Sequence, residues 1–580
     1  MIVNTKNHYY DVLIIGGGGS GLAAAIFAHK KNLKAAIISK VHPLKSHTVA
    51  AQGGINAALG NIKADDWRWH AYDTIKASDW LADQDSVETM CKSASKMIYM
   101  LKDLGVEFDL NEDGLIDQKI YGGQSTNFGT GDLAYRACYS KDRTGHSIMH
   151  KLYEEALSLG IDFYNYHFVL DLLHADNICY GVATWDIENG IINLLQSKNT
   201  IIATGGYSQI FATATSSNIC TGDGNGLIAR INGSLQDMEF VQFHPTALNK
   251  IGILITEAAR SAGGILLNNN KEPFMAEYAP KFKDLAARDV VSRAIATEIN
   301  EGRGAGVNKD HVWLDLTHLS KEEIKQNLPT IFENCQEFIN IDPSIDLIPI
   351  APAAHYTMGG IPTNSNCQVI KYNENGETKI ESLFAIGEAA CISVHGAGRL
   401  GCNSLLDLIV FADVVVNNLQ NKGRKIDVSI FEKEIINKLQ NILDKNPADV
   451  ELLRDNLKDI MSKNVGVFKS KENLVIALDK INEINQQFLK AGISDKSLQW
   501  NMELQHYLEL ENMITSAMAT IKSALWRQES RGAHWRNDFP EANELYHAHS
   551  IFNMNSNILK REVRKILKNV DFYQPHKRNY

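Results

Sequence analysis

The sequence predicts an α/β protein: a discontinuous Rossmann-like dinucleotide-binding domain, a domain inserted into it, and a helical domain after it. Three observations carry that prediction. Residues 11–15 (DVLII) read as a buried strand that runs through a glycine-rich turn into a helical pattern and a second apolar strand at 35–38. Two further strand-like runs, 200–203 and 383–386, also end in glycine but lie far apart in the chain, so one sheet must be assembled from distant segments. From about residue 430 to 540 glycine is sparse, and stretches such as DVELLRDNLKDIMSK repeat apolar residues at helical spacing.

The first element is the turn Gly16-x-Gly18-x-x-Gly21, which also contains Gly19 and Ser20, ahead of a helix expected at 22–30. Glycines allow the tight turn and let backbone N–H groups approach a pyrophosphate, which the helix N-terminus favours electrostatically. The second strand ends in Ser39-Lys40, not in the acidic residue that usually holds a ribose hydroxyl, so the ribose contact must come from elsewhere. The strand at 200–203 leads into Thr204-Gly205-Gly206, and that at 383–386 into Gly387-Glu388. The insertion between them is expected at about 241–355.

Composition narrows the class. The chain has 580 residues, too many for one core, with 44% hydrophobic and 22% charged residues. The formal net charge is −10 and no dense Lys/Arg block marks a nucleic-acid surface. Eight cysteines stand singly without Cys-x-x-Cys, which removes zinc ribbons and dithiol redox motifs and leaves buried, reduced thiols as the expectation. No His-Glu-x-x-His occurs, and His547-x-His549 is a polar segment, so no metal site is expected. No apolar run nears the ~18 residues of a membrane span; the best, 405–416, is interrupted by Asp407 and Asp413. The first ten residues carry no signal-peptide core, so membrane association is expected to come through a partner.

The segments SKVHPLKSHTVAAQGG (39–54) and WHAYDTIKASDWLADQD (69–85) closely resemble the flavoprotein subunits of succinate dehydrogenases and fumarate reductases, and the resemblance runs from about residue 9 to the closing KRNY. It implies an FAD-binding domain at 1–240 and 356–425, an α+β capping domain at 241–355, a helical domain at 426–545 and a C-terminal segment at 546–580. In that family the His of Ser-His-Thr is the covalent attachment point of FAD, and His47 matches it. Thr48, Gln52, Gly53, Gly54, Ser39 and Lys40 fall at neighbouring cofactor positions. Asp223, Glu388, Ser404 and Leu405 match further FAD contacts, the last two at the start of a helix facing the flavin ring. Covalency has a physical use: dehydrogenating an unactivated CH₂–CH₂ bond is uphill for an ordinary flavin, and an electron-withdrawing substituent raises its potential.

The same resemblance implies a dicarboxylate site. His244 in QFHPT, Thr256 in ITEAAR, His355 in AHYTMGG and Arg399 in HGAGRLGCNS match the family's substrate ligands, with Arg399 the bidentate carboxylate clamp. Arg288 in LAARDVVSR matches the residue that handles the substrate proton, and Glu257 with Arg260 its relay to solvent. Arginine is an awkward base, since its pKa exceeds about 12, so neighbouring cations and a dry site must lower the cost of its neutral form. Three departures stand out: Ala262 where the family has a carboxylate bracing Arg260, Gly398 for an Asn before the clamp, which predicts a looser loop, and Cys402 for a small residue. The implied activity is oxidation of succinate to fumarate. The implied partners are an iron–sulfur subunit, membrane anchors reached through it and a flavinylation assembly factor, on the cytoplasmic face of the plasma membrane in a bacterium. Fumarate reductases share every one of these residues; L-aspartate oxidases lack the flavin-linking His; and a non-catalytic dinucleotide-binding scaffold would have no use for Thr256, Arg288 and Arg399.

Overall fold

The computed structural model describes residues 2–4, 8–420, 426–554, 556–565 and 575. Residues 421–425 and most of the chain beyond Lys565, including KRNY, lie outside the described residues. The centre is a nine-stranded sheet in which Asp162–Asn165, Ala35–Ser39, Tyr9–Ile15, Ile191–Ile202 and Gly376–Ala385 form a continuous parallel run drawn from distant parts of the chain. Val12, Leu13 and Ile14 are fully buried, as a parallel strand covered on both faces requires, which is why this segment reads as an unbroken apolar run rather than an alternating one.

The helix Gly19–Lys30 starts three residues before the expected Leu22. Its first turn is made by Gly19, Ser20 and Gly21, which carry no apolar periodicity to announce it. Gly16 has φ +115°, and a Cβ there would lie 2.1 Å from the Ala203 carbonyl oxygen; one on Gly21 would lie 1.9 Å from that of Gly16. The turn can therefore close against the neighbouring strand only without side chains. This helix shares a core with the helix Asn403–Asn417 through Leu22, Ile26, Leu406 and Ile409.

Beyond Phe240 the chain builds a separate antiparallel sheet, in the order Val241–Leu248, Ile348–Thr357, Val312–Asp315, Ile265–Leu267. Helices Arg288–Asn300 and Pro329–Ile339 close its own core, which includes Leu266, Val291, Ile295, Leu314, Ile331 and Ile350. A small sheet of Ile55–Asn56, Leu133–Cys138 and Gln118–Ser125 lies between this unit and the cofactor turn. Four helices follow, Ser429–Asp444, Val450–Asn464, Lys471–Phe488 and Met502–Trp526. Their apolar faces (Leu439, Leu457, Ile481, Met513) join one core with Val182, Ala183 and Leu195 of the main sheet. All eight cysteines are free and buried. Among the described residues no helix is long and apolar enough to cross a membrane.

Candidate active site

The glycine turn, the ends of the parallel strands and the inserted sheet enclose a cavity with about 1570 Å³ of empty space. At one end lie Gly16, Gly18, Gly19, Ser20, Ser39, Lys40 and Asp223; at the other Thr256, His244, His355, Arg288 and Arg399; His47, Thr48, Gln52, Gly53, Gly54, Glu388, Ser404 and Leu405 line the stretch between. Of the predicted site residues, Gly21, Glu257 and Arg260 stand behind the wall.

The strand end that lacks an acidic residue is completed from elsewhere. Lys40 Nζ lies 2.8 Å from Asp223 and 2.8 Å from Glu509, and donates to Thr221 Oγ1 at 2.9 Å. Glu509 comes from the helix Met502–Trp526, so the helical region braces the cofactor end. Burial pushes the Glu388 carboxyl up to about 7, although Oε1 accepts from the Thr357 N–H at 2.9 Å and hydroxyl at 3.1 Å. The Arg399 charge acts against this rise without reaching ion-pairing distance, so the carboxyl stays an acceptor suited to sugar hydroxyls. Thr48 Oγ1 accepts the Gly19 N–H at 3.3 Å and fastens the His47 loop to the first turn of the helix. Gln52 Nε2 donates to the Leu254 carbonyl at 3.2 Å while Oε1 is buried without a partner.

His47 sits in a short 3-10 turn, His47–Ala50. Its imidazole is pushed down to about 4, first by burial and then by the Arg399 charge, so it is neutral at physiological pH. Its Nδ1 accepts the Ser217 N–H at 3.3 Å.

The far end is cationic. Arg288 Nε lies 3.1 Å from Glu257 Oε2, and Arg260 Nη2 is 3.9 Å from the same oxygen; Glu257 Oε1 accepts the Gly122 N–H at 3.0 Å. Arg399 has no carboxylate partner among the described residues. Its Nη2 donates to Gln242 Oε1 at 3.0 Å and its Nη1 to Ser404 Oγ at 3.3 Å; the guanidinium lies 4.5 Å over the Tyr356 ring, and Nε is buried and unpartnered. Burial, then the Arg288 charge, lowers it to about 10. Three guanidiniums thus face one carboxylate inside a protein of net charge −10. A pocket's local field can oppose the net charge, and this one attracts anions. His244 and His355, with ring centroids 4.9 Å apart, are held neutral by burial and by neighbouring charges, Arg288 foremost for His244.

The departures find physical answers. Without a carboxylate at Ala262, Arg260 is braced by the Asp284 carbonyl, which accepts from Nη1. The looser loop expected from Gly398 is not observed: a Cβ there would lie 2.7 Å from the Ala77 carbonyl oxygen, and Ala397 N–H donates to Ser78 O at 3.0 Å. Glycine permits close packing here rather than mobility. Cys402 adopts φ +64° immediately before the helix Asn403–Asn417 and is buried beside Tyr121. Two residues in the site had no sequence assignment. Gln242 accepts from both Arg399 and Arg288, the latter at 3.4 Å, and Tyr356 lies under Arg399. Each sits one or two residues from a predicted histidine; that proximity was the available signal.

Residues 11–405 match the FAD binding domain family model, and residues 454–580 match the fumarate reductase flavoprotein C-terminal model. The chain belongs to the succinate dehydrogenase and fumarate reductase flavoprotein family. It is 47% identical over 551 residues to the succinate dehydrogenase flavoprotein subunit of Rickettsia conorii, covering 93% of this chain and 92% of that one. It is 38% identical to the 8-methylmenaquinol:fumarate reductase flavoprotein subunit of Wolinella succinogenes, over 94% of this chain and 89% of that one. A solved quinol fumarate reductase flavoprotein from Escherichia coli superposes with a TM-score of 0.92 at 30% identity, covering 99% of each chain. The cavity's residues fit the FAD of this family: a side-chain-free turn for the pyrophosphate, the carboxylates Asp223 and Glu388 on the lining, and the orphaned Gln52 Oε1 on the same lining as a neutral His47.

Proposed function

We propose that the chain oxidises succinate to fumarate as the flavoprotein subunit of a succinate dehydrogenase, with FAD attached through His47. One observation carries the proposal: at the end of the FAD cavity Arg399 is buried with no carboxylate at ion-pairing distance among the described residues, next to the chain Arg288, Glu257, Arg260. A buried cation without a partner is costly unless a ligand supplies the anion. Arg399 grips one carboxylate of the dicarboxylate with its planar fork, while His244, His355 and Thr256 donate to the remaining oxygens. Bound FAD supplies the acceptor for the hydride that leaves one methylene. Arg288 takes the proton from the other methylene as its Nε–H proton passes to the Glu257 carboxylate, so the guanidinium never holds an extra proton, and Glu257 with Arg260 passes it outward. Residues 241–355 act as the cap that excludes water when substrate binds, with the cofactor domain in segments 1–240 and 356–425, the helical domain at 426–545 and the C-terminal segment at 546–580.

The oxidative direction is supported by the relatives: those named succinate dehydrogenase reach 47% identity, the fumarate reductase from Wolinella 38%. The chain works beside an iron–sulfur subunit that takes the electrons towards quinone and joins it to membrane anchors, with an assembly factor assisting flavin attachment, at the cytoplasmic face of a bacterial plasma membrane. Fumarate reduction is the second reading, favoured by the 0.92 TM-score of the Escherichia coli enzyme; rates in both directions with quinone and quinol analogues separate the two. The direct test is flavin fluorescence on the acid-unfolded band in a denaturing gel, for the native chain and His47→Ser. The variant loses the fluorescent band, keeps FAD non-covalently and reduces fumarate, but oxidises succinate poorly. Succinate oxidation at the native rate without the covalent bond would sink the role of His47.

A further inference from the structure

His355 is neutral, so it can offer the cavity one N–H at most, and the partner of Nδ1 decides which ring nitrogen carries it. That partner is the Thr215 hydroxyl, 2.7 Å away. Thr215 belongs to the segment 211–220, which is tied to the strand bearing His355: Thr215 N–H donates to the Ala354 carbonyl at 2.8 Å, and Ala354 N–H to that of Thr213 at 3.1 Å. Two residues on, the Ser217 N–H donates to His47 Nδ1 at 3.3 Å. Ser208 and Ser216 share a hydrogen bond between hydroxyls, and Gln209 Nε2 donates to the Ser216 carbonyl at 3.0 Å, which fixes the segment from within. One short stretch therefore addresses Nδ1 of both the substrate-side and the flavin-side imidazole.

We propose that Thr215 is a positioning residue for succinate oxidation: its hydroxyl donates to His355 Nδ1 and so places the ring proton on Nε2, the nitrogen left to donate to a substrate carboxylate. The inference rests on the dicarboxylate reading above. In the opposite tautomer Nδ1–H would donate to the threonine oxygen, and the Nε2 lone pair would face the carboxylate. Protonation is disfavoured from the start, because burial and the charges of His244, Arg288 and Arg399 hold the ring neutral before a ligand enters. A hydroxyl is suited to the task, since it rotates to donate wherever an acceptor nitrogen waits.

The test compares the native flavoprotein with Thr215→Val and Thr215→Ser, measuring malonate binding by calorimetry, and KM and kcat for succinate. Val keeps the β-branched shape and loses the hydroxyl; Ser keeps the hydroxyl. Thr215→Val should weaken malonate about tenfold and raise KM in step, with a smaller fall in kcat, as loss of one hydrogen bond to a charged ligand implies. Thr215→Ser should restore both. Native-like malonate affinity in Thr215→Val, or Thr215→Ser as weak as Thr215→Val, overturns the assignment. A native chain that does not bind malonate overturns the dicarboxylate reading, and this inference with it.

Discussion

Two buried groups of arginines lie in this molecule, and they are built on opposite plans. Around the C-terminal segment the guanidiniums of the described residues are matched. Arg527 Nε lies 2.5 Å from Glu239, its Nη1 3.0 Å from Glu529, and its Nη2 donates to the Ala548 carbonyl at 2.8 Å. Arg536 pairs with Asp538 at 2.6 Å, Arg561 with Asp83 at 2.6 Å, and His549 with Asp237 at 2.5 Å. At the cavity Arg399 has no carboxylate partner among the described residues, and Arg260 leaves Nε and Nη2 without a hydrogen bond. The carboxylates differ in the same sense. Burial would raise Asp83, but Arg561 and His549 hold it well below the usual carboxylate range, whereas at Glu388 burial outweighs the more distant Arg399 charge and pushes the carboxyl up to about 7. Matched burial fixes a chain segment in place; mismatched burial is energy held for a ligand.

The largest expected effect lies within the mismatched group and separates binding from chemistry. Arg288→Lys keeps the charge but misplaces the proton acceptor, so kcat should fall roughly 10²–10⁴-fold, the usual contribution of a positioned acid–base group. Malonate affinity, followed by the flavin spectrum, should change far less. Loss of turnover only in proportion to malonate affinity would make Arg288 a binding residue and move the proton role to Glu257.

The next effect contrasts the groups directly. Arg527→Met leaves buried Glu239 with the Ser550 hydroxyl and no ion-paired cation among the described residues, while Glu529 keeps Arg531, and should cost about 3–5 kcal/mol in unfolding experiments. Arg399→Met removes a cation with no carboxylate at ion-pairing distance among the described residues, so without dicarboxylate it should leave the unfolding midpoint unchanged or raised, while malonate binding disappears. If both variants lose stability equally, the distinction between matched and mismatched burial does not describe this protein.

The smallest effect concerns Glu388. Below about pH 4.5 its carboxyl is protonated in folded and unfolded chains alike; between about 4.5 and 7 the unfolded chain has released a proton that the folded chain retains. Its contribution to stability therefore falls as pH rises through that window and is level above it. In a His47→Ser background freed of FAD, Glu388→Gln should gain stability over its parent from pH 4.5 to 7, by on the order of 1 kcal/mol. Its FAD affinity should fall, because an amide accepts sugar hydroxyls less strongly than a carboxylate. Identical pH profiles for the two would show that Glu388 is not strained in the empty site.

Much of the architecture was legible because it is written in short-range patterns. The unbroken apolar run of residues 12–15 announces a doubly covered strand, Gly16 and Gly21 mark a turn that cannot bear a Cβ, and the spacing of Leu453, Leu457 and Met461 announces a helix. The residues gathered at the cationic end of the cavity were recognisable from local motifs around His244, Arg288 and Arg399, and the loop beside the glycine turn from the motif around His47. The start of the first helix was misplaced because its opening glycines have no apolar side chains to count, and the loop at Gly398 was misjudged because its packing partner, Ala77, lies more than 300 positions away.

The sequence by itself therefore determined the elements, the cofactor turn and the chemical types gathered at the site. Only the tertiary structure decided which charges are paired. Arg527 meets Glu239 and Lys40 meets Glu509 across hundreds of residues, while Arg399 meets Gln242 and the Tyr356 ring and no carboxylate among the described residues. An arginine in a motif carries the same charge wherever it falls. Whether that charge is spent on a structural partner or left for a ligand depends on what the folded chain brings within a few ångströms of it, at a dielectric that burial alone sets.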